Sequence, residues 1–215
     1  MLLGKNEIPD IFYIFVSKLN PMTYHNLKET GRFLSASMVA IETVDNFKKK
    51  YENGTATYAM FGPVDQDCKA ISPYALSAIN TYWVEYEAEQ ARLAYFGKFP
   101  SRFSSVFAFG DMKTCRKVSN KYKWDLNEVK RFRLLDNPLN RVIKVNMEII
   151  SLARYAYKVS NMQHRNELWK NYWNGTGEIE MELPNPDATR QIKKSGLIWE
   201  YLIEGQLEVL QEDRN

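Results

Sequence analysis

The chain is poor in the residues on which many chemistries depend. Its 215 residues hold two cysteines, Cys68 and Cys115, and two histidines, His25 and His164. Two cysteines cannot build a disulfide scaffold or a four-ligand zinc site, and neither sits in a recognisable nucleophile context. Both histidines fall in polar helical stretches and read as solvated. No glycine-rich phosphate loop is present, since Gly196 and Gly205 stand isolated, and no H-E-x-x-H or calcium-loop pattern occurs. The Asn53-Gly-Thr and Asn174-Gly-Thr triplets read as turns. There is no internal repeat. No apolar run reaches the 18 residues of a membrane span. The opening MLLGKNEIPDIFYIF lacks a basic stretch leading into a long apolar core, so a cytoplasmic protein without a secretory leader is expected.

What remains is an ordinary globular composition, 45% hydrophobic and 26% charged, of a length suited to one domain spanning residues 1–215. The net charge of +3 is unevenly spread. Between Lys113 and Lys158 twelve Lys and Arg stand against four Asp and Glu, whereas residues 197–215 hold five acids and one base. Such asymmetry points to a phosphate-bearing partner for the middle of the chain, or to two solvated faces of opposite sign. Tyr122, Trp124, Phe132, Tyr155 and Tyr157 interleave the basic residues, a mixture suited to gripping phosphate and stacking bases of RNA or single-stranded DNA.

The pattern predicts strands over Ile8–Lys18, Ser104–Phe109 and Arg141–Ile150. Helices are expected over Thr23–Glu29 with a Gly31 cap, Ala40–Tyr51, Pro73–Tyr95, Asp111–Tyr122 and Gln163–Trp173. The Tyr82-Trp83 and Tyr172-Trp173 pairs read as core. Residues 61–73 and 180–194 read as loops, the second unusually long and with two prolines. Leu197–Leu210 places Trp199, Tyr201, Ile203, Leu207 and Val209 on odd positions and Glu200, Glu204 and Glu208 on even ones. A helix there would stack like charges at i,i+4 around a mid-helix Gly205, so a strand is expected, with its carboxylates on the face away from the core. The reading is a single α+β domain.

Three pieces carry a resemblance. They are the opening strand Tyr13-Ile-Phe-Val-Ser17-Lys18 with Asn26-Leu-Lys-Glu-Thr-Gly31; Arg92 followed by Phe99-Pro-Ser-Arg-Phe-Ser-Ser-Val-Phe-Ala-Phe109; and Trp199-Glu-Tyr-Leu-Ile-Glu-Gly205. Together, in this order, they resemble the ADP-ribosyltransferase fold, and specifically the bacterial nucleic-acid-modifying toxins of the DarT and CmdT kind. Phe15 stands where that family's first-strand motif has histidine. The resemblance implies a split central sheet and an NAD-dependent mono-ADP-ribosyltransferase, a toxin or anti-phage effector acting on nucleic acid and neutralised by an antitoxin or immunity partner. It implies Glu200 as the catalytic carboxylate with Glu204 as alternate, and Arg102, or else Arg92, on the NAD pyrophosphate. Phe15, Ser17, Ser104, Ser105 and Phe107 complete the implied NAD contacts. Two other readings stay open: a non-catalytic nucleic-acid-binding or interaction module, and a transferase acting on protein.

Overall fold

A computed structural model describes residues 2–58, 67, 68, 72, 82–160, 162–185, 187 and 189–213. The expected loop at 61–73 and the first part of the Pro73–Tyr95 helix lie mostly outside these. Nine strands are described: β1 (Phe12–Phe15), β2 (Arg32–Leu34), β3 (Val106–Ala108), β4 (Val129–Leu134), β5 (Arg141–Asn146), β6 (Glu180–Pro184), β7 (Arg190–Lys194), β8 (Trp199–Glu204) and β9 (Gln206–Val209). The helices described are α1 (Pro21–Thr30), α2 (Ala36–Thr43), α3 (Phe47–Asn53), α4 (Tyr82–Tyr95), α5 (Met112–Tyr122), α6 (Glu148–Val159) and α7 (Met162–Asn174). The fold is mixed, and its strands come from the start, middle and end of the chain as expected.

All strand pairs are antiparallel. One sheet has the order β1-β4-β9-β2, a second β3-β8-β5, and β6-β7 form a separate hairpin. The two sheets share a chain, because β8 runs into β9 through Gly205. At that corner Gly205 donates to the Ser35 hydroxyl at 3.1 Å, and Ser35 returns its own N–H to the Gly205 carbonyl. Tyr13 and Phe109 add a second tie by exchanging both backbone hydrogen bonds at 2.8 Å. One apolar cluster, with Phe12, Ile14, Phe132, Tyr201, Ile203 and Leu207, joins residues of both sheets. Another, with Val84, Ala88, Ile143, Val145, Trp169 and Trp173, packs α4, α6 and α7 on the opposite side of β5 and β8. The three-stranded sheet is therefore a middle layer, and β8, its central strand, is enclosed on both faces.

Four expectations are corrected. The strand from Arg141 stops at Asn146 rather than Ile150. The Asn146 side-chain oxygen accepts from the backbone N–H of Glu148 at 3.1 Å and so opens a helix, whose Ile149, Leu152, Ala153 and Ala156 are buried at helical spacing. Residues 180–194 are a hairpin closed by Asn185 donating to the Thr189 carbonyl at 2.7 Å; Pro184 sits at the last position of β6, where no interior ladder bond is lost. The expected Ala40–Tyr51 helix is two helices, parted where Asn46 takes a left-handed φ of 60°. Trp83, expected in the core with Tyr82, is 56% exposed, whereas Tyr172 and Trp173 are buried as expected.

Elsewhere local signals act as read. Gly31 caps α1 in the left-handed conformation, and Asp111 caps α5 by accepting from Thr114 N–H at 2.6 Å. One close approach fixes α4 against the chain leaving α3. A Cβ on Gly54, itself at φ +76°, would lie 2.7 Å from the Gly97 carbonyl carbon. Arg92 straps the same place by donating to Gly97 O at 2.9 Å, Phe99 O at 3.1 Å and Ala56 O at 3.2 Å. Gly97→Ala puts a methyl against rigid backbone, so urea unfolding is expected to show a loss of about 1–3 kcal/mol; a neutral substitution would mean that this approach carries no constraint.

Candidate active site

Glu200 and Glu204 point to the helix-covered side of β8, so the expectation that their face looks away from the core is overturned. Both carboxylates are buried, and each sits in its own polar nest. The reason lies in α4. Its buried face carries not only Val84, Ala88 and Ala91 but also Glu85, Glu89 and Arg92, at spacings of four and three that put them on one side of the helix. An apolar stripe is visible in the sequence there, and the charges interleaved with it are the signal of a buried polar face.

The first nest surrounds Glu200. Arg102 donates to both oxygens of Glu85, at 2.6 Å from Nε and 3.2 Å from Nη2, and Nη1 meets the Tyr172 hydroxyl at 2.5 Å. The same guanidinium stacks over the Phe107 ring at 5.0 Å. Its Nη1 comes only to 3.8 Å from Glu200 Oε2, beyond hydrogen-bond reach. Glu200 is thus next to a cation that another carboxylate holds, and its own side chain keeps 10% exposure. Burial pushes the Glu200 carboxyl up to about 7; Arg102 opposes the rise, Glu85 adds to it and Arg154 opposes it.

The second nest surrounds Glu204, which is fully buried. Its Oε1 accepts from the Ser37 hydroxyl at 2.7 Å and from the Ser101 backbone N–H at 3.1 Å, while Oε2 has no hydrogen-bond partner. Ser37 is also bonded to the hydroxyls of Ser104 and, at 2.8 Å, Tyr58. Arg92 grips Glu89 through two bonds of 2.9 and 2.7 Å, and Ser101 donates to Glu89 at 2.9 Å. Arg141 lies 3.6 Å over the Tyr51 ring. Burial raises the Glu204 carboxyl, against the Ser37 bond and the charges of Arg92 and Arg141.

The residues singled out from sequence therefore divide. Glu200, Arg102 and Phe107 come together. Glu204, Arg92 and Ser104 form the second nest, and the Ser105 hydroxyl turns to the Ser101 carbonyl at 2.6 Å beside it. Phe15 and Ser17 join neither. The Phe15 ring packs on Phe109 and Trp124, and the Ser17 hydroxyl donates to Glu128 at 3.0 Å. Neither Arg102 nor Arg92 offers an open guanidinium fork for a pyrophosphate, since each is held by a glutamate of α4. A cavity of about 600 Å³ lies elsewhere, between the end of α6, α7 and the β6–β7 hairpin.

The basic segment is partly answered within the chain. In the β4–β9 register Arg133 faces Glu208 and bonds it at 2.5 Å, and Arg131 meets Glu212. Lys121 pairs with Glu148, and Arg141 is buried. On α5, Lys113, Arg116 and Lys117 stay exposed, followed by Lys123 and by Trp124 at 43% exposure. Among the described residues no helix is long and apolar enough to cross a membrane. No protein-family model matches the chain, and no curated protein matches it.

The raised Glu200 carboxyl has a signed consequence for stability. Between its ordinary value of 4.5 and about 7 the folded chain keeps a proton that the unfolded chain has released. Its contribution is complete below about 4.5 and is lost as pH rises to about 7. Urea unfolding across that window should show the wild type losing on the order of 3 kcal/mol relative to Glu200→Gln. A difference that stays flat with pH would contradict the assignment.

Proposed function

We propose that the chain is an NAD-dependent mono-ADP-ribosyltransferase in which Glu200 is the catalytic carboxylate. The observation that supports this reading is Glu200 itself: a carboxyl on the central strand, 3.8 Å from a guanidinium that hydrogen-bonds another acid, with a proton affinity near neutrality. In such a transfer NAD is consumed, and positive charge develops on its ribose as nicotinamide leaves. An ionised Glu200 opposes that charge and accepts a hydrogen bond from a ribose hydroxyl. The same carboxyl takes the proton of the incoming nucleophile, a role suited to a group that titrates close to pH 7. Arg102, fixed by Glu85 and Tyr172, contributes a stationary positive field rather than a pyrophosphate contact. Arg154 adds a second positive charge that acts on Glu200.

The acceptor in this reading is RNA or single-stranded DNA. The exposed cations of α5 with Lys123 supply phosphate contacts, and Trp124 supplies a stacking face. An activity of that kind in a cytoplasm calls for a protein partner that neutralises it. One observation favours a second reading, a non-catalytic nucleic-acid-binding module: the buried Arg92 and Arg102 are already satisfied by carboxylates, as in a purely structural network.

Nicotinamide release from NAD separates the two. Wild-type protein is expected to release it and Glu200→Gln to be slower by on the order of a hundred- to a thousandfold, whereas Glu204→Gln costs much less. Equal rates in wild type and Glu200→Gln would remove Glu200 from the chemistry, and no release by any form would leave the binding module. RNA binding is expected to weaken with salt at a logarithmic slope of about −0.7 per neutralised phosphate. Binding indifferent to salt would move the acceptor to protein.

A further inference from the structure

The Glu200 nest holds two buried carboxylates and one hydrogen-bonding guanidinium, and the two acids divide it unequally. Glu85 takes the planar fork with both oxygens, at 2.6 and 3.2 Å, while Glu200 is left 3.8 Å from the nearest nitrogen and accepts no hydrogen bond from any described residue. Tyr172 occupies the remaining edge of the fork at 2.5 Å. Nothing about Arg102 alone dictates that division. A guanidinium carries five donors and serves either carboxylate equally well.

We propose that Glu85 is a positioning residue for Glu200: by engaging the Arg102 fork from α4 it keeps that cation off Glu200 and leaves Glu200 as the member of the pair that takes up and releases a proton. Four charged or titratable groups act on Glu200 among the described residues. Glu85 comes from α4, Arg102 from the turn before β3, Arg154 from α6 and Tyr172 from α7. Arg102 and Arg154 set two positive charges against the two carboxyl groups, so charge balance alone does not keep the proton on Glu200. Burial of a carboxylate that accepts no hydrogen bond from any described residue, against the opposing charges of Arg102 and Arg154, is what makes the proton worth keeping. The arrangement rests on the reading of Glu200 as the reacting carboxyl, and it explains how one of two neighbouring glutamates is left outside the guanidinium fork that the other occupies.

The experiment is a carboxyl titration by carbon NMR on protein labelled at glutamate, with wild type, Glu200→Gln and Glu85→Gln. The wild type is expected to show one carboxyl titrating at about 7, absent from Glu200→Gln. In Glu85→Gln the Arg102 fork is free to turn to Glu200, and the midpoint should fall by about one pH unit or more. The rising limb of the pH profile for nicotinamide release should shift to lower pH by the same amount, a change that a merely structural role for Glu85 would not produce. A Glu200 midpoint that stays or rises in Glu85→Gln overturns the proposal. So does a neutral-range carboxyl that persists in Glu200→Gln. Should Glu85→Gln not fold, the comparison of wild type with Glu200→Gln decides by the second criterion. The titration reads no turnover, so an inactive wild type would overturn the transferase reading and leave this inference standing.

Discussion

A carboxylate removed from water must find a cation, a hydrogen-bond donor or a proton, and β8 imposes that requirement twice in five residues. It is the middle strand of the middle layer, with Tyr201 and Ile203 packed toward the four-stranded sheet and Leu202 toward the helices. Glu200 and Glu204 flank Leu202 and share its dry side. The surrounding architecture follows from how each is answered. α4 turns its charged stripe inward, the turn before β3 brings Arg102 and Ser101, and α2 begins with Ser35 and Ser37 against the end of β8.

The two answers differ in kind. Around Glu204 the charges are two glutamates and two arginines with serine and tyrosine hydroxyls between them, and one carboxylate oxygen accepts two bonds. That is a nest arranged to hold its acid still. Around Glu200 the guanidinium is committed to Glu85, the side chain retains some exposure, and no hydrogen bond fixes the carboxyl. Networks of this type add little stability beyond a well-packed apolar alternative, so retaining a loosely held acid beside a tightly held one fits a role in chemistry better than one in folding.

The sequence made part of this legible. β1 and β3 follow from short apolar and aromatic runs, α5 from the Asp111 cap, and the strand over Leu197–Leu210 from alternation, although Gly205 breaks it into β8 and β9 of different sheets. The end of β5 was hidden because Ile143, Val145, Met147 and Ile149 continue a period of two into residues that also satisfy a helical repeat, and only the Asn146 side chain marks the switch. The β6–β7 hairpin was hidden by its prolines. The burial of Glu200 and Glu204 was not legible on their own strand, where a carboxylate at every second position reads as a wet face. Its cause sits more than a hundred residues earlier, in Glu85, Glu89 and Arg92. The charge asymmetry along the chain was real, but β4 and β9 lie side by side, so Arg133 with Glu208 and Arg131 with Glu212 settle part of it within the fold.

The proposed function requires that NAD reach Glu200 from its exposed edge. A thermal-unfolding titration of the free protein with NAD tests it most directly, since a ligand at a hundredfold its dissociation constant adds about 2.7 kcal/mol to stability. The account predicts a melting temperature that climbs with NAD in the wild type and climbs nearly as far in Glu200→Gln, which keeps the shape of the site and loses only its charge. A melting temperature unmoved by millimolar NAD in both proteins would contradict it.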